Sequence, residues 1–546
     1  MDTSSPNHWG RSRAAEANKW LVAGTVLFGS FMAVMDISVV NVALPHMMGS
    51  FSEDMSSITW VATSYSIAEI IMVTMAGWLS TLMGRKRLYL ISFGLFTLGS
   101  ILCGTAVSFH QMLFYRILQG VGGGALIPVS QAILRETFPQ EEQGMAMAIY
   151  GMGVVLAPAM GPILGGWLTD QYGWPWIFFI NVPVSVVGML MVGAFVRDPD
   201  YLRRGVGKID WFGICLMAVA LTTMQIVLER GQSENWFDSR MIIVGTVICV
   251  TSLLLLVYWE LKIPEPVINL RILLDVPLSL GCIMGLIFGV ALFGTTFILP
   301  QFTQTLLGYP AFDAGLVLMP RALMMMVCMP IVGRLYNKVD SRFLVLLGTA
   351  AVCWSYYDLG NLSLQAGYWN LVPAMMMGIG MPAMFVTITT ISLATVPRAN
   401  MTEATSLYTL ARRVGGNIGY ALAATIVSRR QQIHRVHLVD HVNPFNPLYH
   451  EFTRLASKFL AQAGVHAETL GQATHALINR IVNLQATMLA YNDVSWDFGL
   501  LFLTVVPFIL LLPGKIAPSS GQPGQARALI FDGRALMPLL YDLTAS

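Results

Sequence analysis

Residues 88–109, 241–259 and 276–312 each run without a single Asp, Glu, Lys or Arg. An apolar helix of about 18 residues is long enough to cross the roughly 30 Å hydrocarbon core of a bilayer. That core holds no water to bond an open N–H or C=O, so repeated runs of this kind require continuous helices bundled together. Composition agrees. Of 546 residues, 55% are hydrophobic and 11% charged, against roughly 25% charged in soluble domains, and the mean hydropathy is +0.63. The expected fold class is an all-α polytopic membrane protein.

Hydropathy gives about fourteen spans. They divide into an N-terminal six-helix bundle (20–196), two additional helices (211–258) and a C-terminal six-helix bundle (279–514), flanked by an N-terminal segment (1–19) and a tail (515–546). Lys and Arg in short loops set orientation. Arg11, Arg13 and Lys19, then Arg85, Lys86 and Arg87, then Arg135, Arg197, Arg203, Arg204, Lys208, Lys262, Arg271, Lys338, Arg342 and Arg398 fall on one side. Both termini are therefore expected in the cytoplasm. The apolar run after Lys19 is too long for a signal-peptide core and reads as a retained span. The long polar loop 429–494 lies outside. Phe452, Leu455 and Phe459, then Leu477, Ile481 and Leu484, recur there at helical spacing, which predicts one or two amphipathic helices. They serve either to pack back on the protein or to dock a partner. Paired six-helix bundles rocking about a midplane site are a common transporter plan.

Several classes drop out. No stretch is basic enough to suggest nucleic acid. No Walker-type phosphate loop is present, so ATP is not the expected direct energy source. The six cysteines lie in apolar segments and read as packing residues, with neither disulfides nor a metal site expected.

Charge at mid-bilayer depth is expensive and marks function. Asp36 in the first span and Glu69 in the second both fall roughly 13–17 Å below the outer surface, at about 1.5 Å per residue. Arg116, in the fourth span, lies slightly nearer that surface. Two acids and one base at similar depth suit proton coupling, because a carboxylate loads or releases a proton as an arginine or water is offered or withdrawn. The alternative is a permanent salt bridge that fixes the bundle. If the three touch, they titrate as one set; one arrangement makes Asp36 the Arg-paired, ionised member with Glu69 carrying the proton, and the sequence leaves open which of the two acids carries it. Arg412 and Arg413 are expected to snorkel toward the inner interface. Arg321 is a counterpart of Arg116 in the second bundle or a cavity residue. Asn41 and Gln119 are polar cavity or packing candidates, and Tyr65 and Phe297 aromatic contacts for a substrate. Gly120, Gly123 and Gly124 share a face with Arg116 and let a neighbour approach it. The run "GVVLAPAMGPILGG" (153–166) combines small residues with prolines, as a switching or merely tight helix contact would.

These residues resemble the fourteen-helix drug:H+ antiporter branch of the major facilitator superfamily, the EmrB/QacA type. "MDISVVNVALP" (35–45) matches the first-helix signature, and "GWLSTLMGRKRL" (77–88) the loop between helices two and three, with Gly77, Gly84 and Arg85 as its conformational residues. "FYRILQGVGGG" (114–124) matches the fourth-helix R-x-x-Q-G motif, and "GPILGG" (161–166) the antiporter motif, through Gly161, Pro162, Gly165 and Gly166. "WPWIFFINVPVS" (174–185) and "ARRVGGNIG" (411–419) are similar to the signatures of helices six and thirteen, and the long outer loop looks like that of EmrB-type members. There are departures. Thr81 stands where the family often has Asp, Pro175 where Arg or Gly is usual, and Glu69 is outside the general signature. The resemblance implies the major facilitator fold and no enzymatic activity. It implies export of hydrophobic or amphipathic drugs across a bacterial inner membrane against proton influx, without a cofactor. For EmrB-type members it implies assembly with a periplasmic adaptor protein and an outer-membrane channel. An exporter dedicated to one endogenous metabolite or siderophore, and a non-transporting scaffold or sensor, are the alternatives.

Overall fold

The computed structural model describes residues 8–198, 209–309, 311–367, 376–443 and 445–512. The tail, Arg203, Arg204 and Lys208, and the side chains of Arg11, Arg13, Pro162 and Phe297 lie outside what is described. All the regular secondary structure among the described residues is helical. The N-terminal bundle comprises α1 (His8–Phe51), α2 (Trp60–Met83), α3 (Arg85–Gly104), α4 (Phe109–Thr137), α5 (Gln143–Tyr172) and α6 (Asn181–Phe195). The additional pair is α7 (Trp211–Arg230) and α8 (Arg240–Lys262). Then follow α9 (Val276–Gln301), α10 (Ala311–Leu335), α11 (Ser341–Leu359), α12 (Met377–Ser392), α13 (Met401–Asp440), α14 (Pro447–Gln462), α15 (Ala467–Leu503) and α16 (Val505–Leu511). Each predicted span contains helix among its described residues. Among the described residues nine helices are long and apolar enough to cross a membrane, or ten when the bent pair 140–158 and 163–172 counts as one span.

Local chemistry fixes the helix ends. Ser108 Oγ accepts from Gln111 N at the start of α4, and Asp210 Oδ1 accepts from Gly213 N at the start of α7, satisfying donors that the first turn leaves open. Gly84 stops α2 at φ +86°, a conformation that a Cβ would strain. Prolines 45, 128, 320, 330 and 382 sit inside helices, which neighbouring helices make tolerable in a bundle. The outward face of α8 exposes Val244, Val247, Leu254 and Val257, a contiguous apolar surface that a soluble protein would not leave bare and a bilayer covers.

The two bundles meet along two seams, α2 against α13 and α5 against α10, and α7 lies over the first of them. Both seams are shut at the basic end of the molecule. A Cβ on Gly77 would stand 2.7 Å from the Glu403 Cα, and one on Gly144 2.9 Å from the Gly333 carbonyl oxygen. The 429–494 loop is mostly helix. α13 and α15 extend straight out of their spans, and α14 is a separate amphipathic helix docked on α15 through Ser457 and Thr474. Phe452, Leu455 and Phe459 line its exposed face, whereas Leu477, Ile481 and Leu484 belong to the α15 extension and are half-buried.

Candidate functional site

Two turns into α4, Arg116 turns into the middle of the N-terminal bundle. Its Nη1 donates to Asp36 Oδ2 and to Gln119 Oε1, each at 2.6 Å, and its Nε donates to the Val61 carbonyl at 3.0 Å. The guanidinium carbon lies 4.3 Å from the Tyr65 ring centroid, within cation–π range. Asp36 Oδ1 accepts from Gln119 Nε2 at 2.8 Å and from Asn181 Nδ2 at 3.0 Å. Gln119 Nε2 also donates to Ser100 Oγ at 2.8 Å. One acid thus collects donors from α4 and α6, and one base collects acceptors from α1, α2 and α4. The relative exposures of Asp36, Arg116 and Gln119 are 2%, 0% and 0%. Such a network survives at low dielectric because each charge is countered and hydrogen-bonded.

Small residues make the network possible. A Cβ on Gly99 would stand 2.6 Å from the Gln119 Cα, and one on Gly120 2.5 Å from the Tyr65 carbonyl oxygen. Gly123 faces the Tyr65 hydroxyl and Gly124 the Glu69 carbonyl. The helix that approaches Arg116 is therefore α2. In "GPILGG", a Cβ on Gly161 would meet Ser38 Cβ at 2.5 Å and one on Gly165 the Val39 carbonyl at 3.0 Å, while Gly166 faces open space. Ser38 Oγ donates to the Pro158 carbonyl at 3.0 Å. The fifth-helix motif thus grips the first-helix signature two and three residues beyond Asp36.

Glu69 corrects the expectation of a single three-member set. Its backbone faces Gly120 and Gly124, so its side chain leaves on the far side of α2. There Arg413 Nη2 of α13 donates to its Oε1. Arg116 for its part bonds Asp36, Gln119 and the Val61 carbonyl. The site therefore holds two ion pairs, one inside a bundle and one between bundles. Arg413 does not snorkel inward. Nor does Arg412, which is 5% exposed with its guanidinium carbon 5.4 Å from the Phe385 ring. Phe385 in turn lies against Tyr150 of the opposite bundle, ring centroids 6.5 Å apart and nearly parallel, and against Phe288.

Other expectations are redistributed. Tyr65, expected as an aromatic substrate contact, and Gln119, expected as a cavity or packing residue, are both buried inside the N-terminal bundle, Tyr65 with its ring against Arg116 and Gln119 bonded to Arg116 and Asp36. Asn41 is exposed on α1. Arg321 is half-buried on α10, its carbonyl against Gly378 of α12. Thr81 donates only to the Gly77 carbonyl, at 3.2 Å. At this basic end Arg85 instead spans the bundles. It donates to Thr402 Oγ1 at 2.7 Å and to the Arg398 carbonyl at 3.2 Å, and pairs with Glu136. Sequence reasoning missed Asn181, Ser100 and the role of Arg413. A lone amide in the apolar "INVP" stretch was the available signal for Asn181.

The Major Facilitator Superfamily model matches residues 26–420. The multidrug export protein EmrB of Escherichia coli K12 is 33% identical over 500 residues, covering 91% of this chain and 95% of that protein. The fatty acid resistance protein FarB of Neisseria gonorrhoeae is 30% identical over 485 residues, covering 88% and 93%. Among solved structures, the proton:xylose symporter XylE superposes with a TM-score of 0.58 at 12% identity, covering 91% of this chain and 97% of that one. This last likeness establishes the fold.

Proposed function

The chain belongs to the Major Facilitator Superfamily and is a multi-pass membrane transporter of small molecules; from that premise we propose that it is a proton-driven exporter of hydrophobic and amphipathic drugs. The observation that carries this reading is the Glu69–Arg413 pair, an acid and a base on opposite bundles that meet only at the seam between them. When the bundles rock, the pair must part. A carboxylate left charged and alone at that depth costs several kcal/mol, of order 3–5 when one partner of a buried pair is removed. A proton on Glu69 removes that cost. In the cycle proposed, the cytoplasmic side is the basic end closed by Arg85, Gly77 and Gly144. A proton arriving from outside loads Glu69, frees Arg413 and lets the seams rearrange toward the cytoplasm. Release of that proton inside restores the pair. Asp36 serves as the fixed partner of Arg116 and holds the N-terminal bundle rigid while it turns.

Substrate is proposed to pass between Tyr150 on one bundle and Phe288 and Phe385 on the other, aromatic faces that accept varied apolar bodies. Arg412 beside Phe385 suits substrates with an acidic head, in keeping with the relative named for fatty acid resistance. The relatives named for multidrug export favour a broad rather than a single-metabolite profile. We place the protein in a bacterial inner membrane as the pump of a tripartite system. The apolar face of α14, outside the span, is offered to a periplasmic adaptor that leads to an outer-membrane channel. The test is dye movement in liposomes under an imposed pH gradient, for wild type, Asp36→Asn and Glu69→Gln. Gradient-driven transport that fails in Glu69→Gln is expected. Wild-type transport indifferent to the gradient would overturn the antiport reading.

A further inference from the structure

The two additional helices do more than cover apolar surface, because the outer half of α7 and the loop after it hold both bundles. On the α2 side, Arg230 Nη2 donates to the Ser56 carbonyl at 2.7 Å and its Nη1 to Ser56 Oγ at 3.0 Å. Thr63 Oγ1 donates to Glu229 Oε1 at 2.5 Å. On the α13 side, Trp236 Nε1 donates to Thr425 Oγ1 at 3.0 Å, and Asn417 Nδ2 donates to Gln225 Oε1. Gln225 Nε2 donates to Glu229 Oε2 at 3.3 Å and joins the two sides. Asn417 stands one turn, about 6 Å, outward of Arg413 on the same face of α13, and Thr63 stands about 9 Å outward of Glu69 on α2. The seam is therefore bridged twice, directly by Glu69–Arg413 and, further out, by the chain Thr63–Glu229–Gln225–Asn417.

We propose that Gln225 and Glu229 are positioning residues that set the α2–α13 spacing at which Glu69 meets Arg413. The proposal rests on the reading of Glu69 as the proton-carrying acid. The geometry of a charged pair between two movable helices is only as fixed as the helices. An ion pair by itself lets α13 roll about the contact, and a second bridge one turn away on the same face blocks the roll. Gln225 is well placed for this. It is 5% exposed, and its amide is used from both ends, accepting from Asn417 and donating to Glu229. The charged and titratable groups around Glu69 are few. Arg413 faces it from α13 and Tyr65 precedes it by one turn on α2. Asp36 of α1 and Arg116 of α4 act on it at longer range. Glu229 and Arg230 lie outward on α7, and Glu403 inward on α13 beside Gly77. Of these, only Arg413 bonds Glu69 directly, so loosening α13 changes the one contact that holds the carboxylate charged.

The experiment is the pH profile of dye transport by the full chain in liposomes, for wild type, Thr63→Val, Thr63→Ser, Gln225→Leu and Glu69→Gln. Thr63→Val is nearly isosteric and protects the test against a folding failure. Chromatographic monodispersity is recorded for each variant. Thr63→Val and Gln225→Leu are expected to move the midpoint alkaline by about 0.5 pH unit or more, because a carboxylate held less firmly by a guanidinium takes a proton more readily. Thr63→Ser, which keeps the hydroxyl, is expected to restore the wild-type midpoint. Reduced transport with an unmoved midpoint would mean that α7 is a structural brace, and would overturn the proposal. Glu69→Gln separates the layers. If it keeps the wild-type profile, the proton reading of Glu69 falls and the positioning role with it. If it abolishes the profile while the α7 variants leave the midpoint in place, the positioning role alone falls.

Discussion

Replacing Arg116 with Leu tests whether the Asp36 network is held by charge. Without Arg116, Asp36 keeps two amide donors, Gln119 Nε2 and Asn181 Nδ2, and loses its countercharge. The site is 2% exposed, and breaking one half of such a buried, hydrogen-bonded ion pair costs roughly 3–5 kcal/mol, because the remaining charge is left without its partner. Adding Asp36→Asn to Arg116→Leu removes that stranded charge and is expected to recover about 2–3 kcal/mol, leaving mainly the packing loss. Unfolding in mixed detergent micelles, for wild type, both single variants and the double, measures each quantity. Additive losses in the double variant would refute the claim that opposite charges hold the network together.

Gly161→Ala is expected to lower stability by about 1–3 kcal/mol through overpacking against Ser38, whereas Gly166→Ala, which meets open space, changes thermal stability by less than about 0.5 kcal/mol. Gly77→Val would wedge α2 from the Glu403 backbone. Cysteine reporters between the bundles should then label faster from the basic end, and unchanged labelling would exclude Gly77 from the closure. Phe452→Glu combined with Phe459→Glu should leave transport in liposomes intact and abolish drug resistance in cells. Equal loss in both assays would remove the docking role proposed for α14.

Much of the intramembrane arrangement was legible in the sequence, for a physical reason. A lipid core tolerates few polar groups, so each one present is conspicuous. Asp36, Glu69 and Arg116 stood out against apolar runs, and counting 1.5 Å per residue placed them near one level. The same spacing argument found the face shared by Arg116, Gly120 and Gly124. Family signatures added Arg85 and the "GPILGG" contact. The prominence of these residues did not reveal which charges pair. Depth is one coordinate, and two residues at equal depth can face opposite ways around their helices.

The sequence by itself determined the apolar helical character of the chain, the basic end and the acids and bases that any working form must accommodate, because hydrophobic length and charge cost act residue by residue. Tertiary structure decided the pairing. Close approach at Gly120 and Gly124 turns the Glu69 backbone to α4 and sends its carboxylate across the seam to Arg413. Asn181, unremarkable in the chain, becomes a partner of Asp36 only when α6 packs beside α1. Gln225 and Glu229 gain their place because α7 lies over α2 and α13 together. The Asp36–Asn181, Glu69–Arg413, Thr63–Glu229 and Gln225–Asn417 contacts each join residues 100 or more positions apart, and such neighbours are set by how helices rotate and settle against one another, which no local pattern encodes.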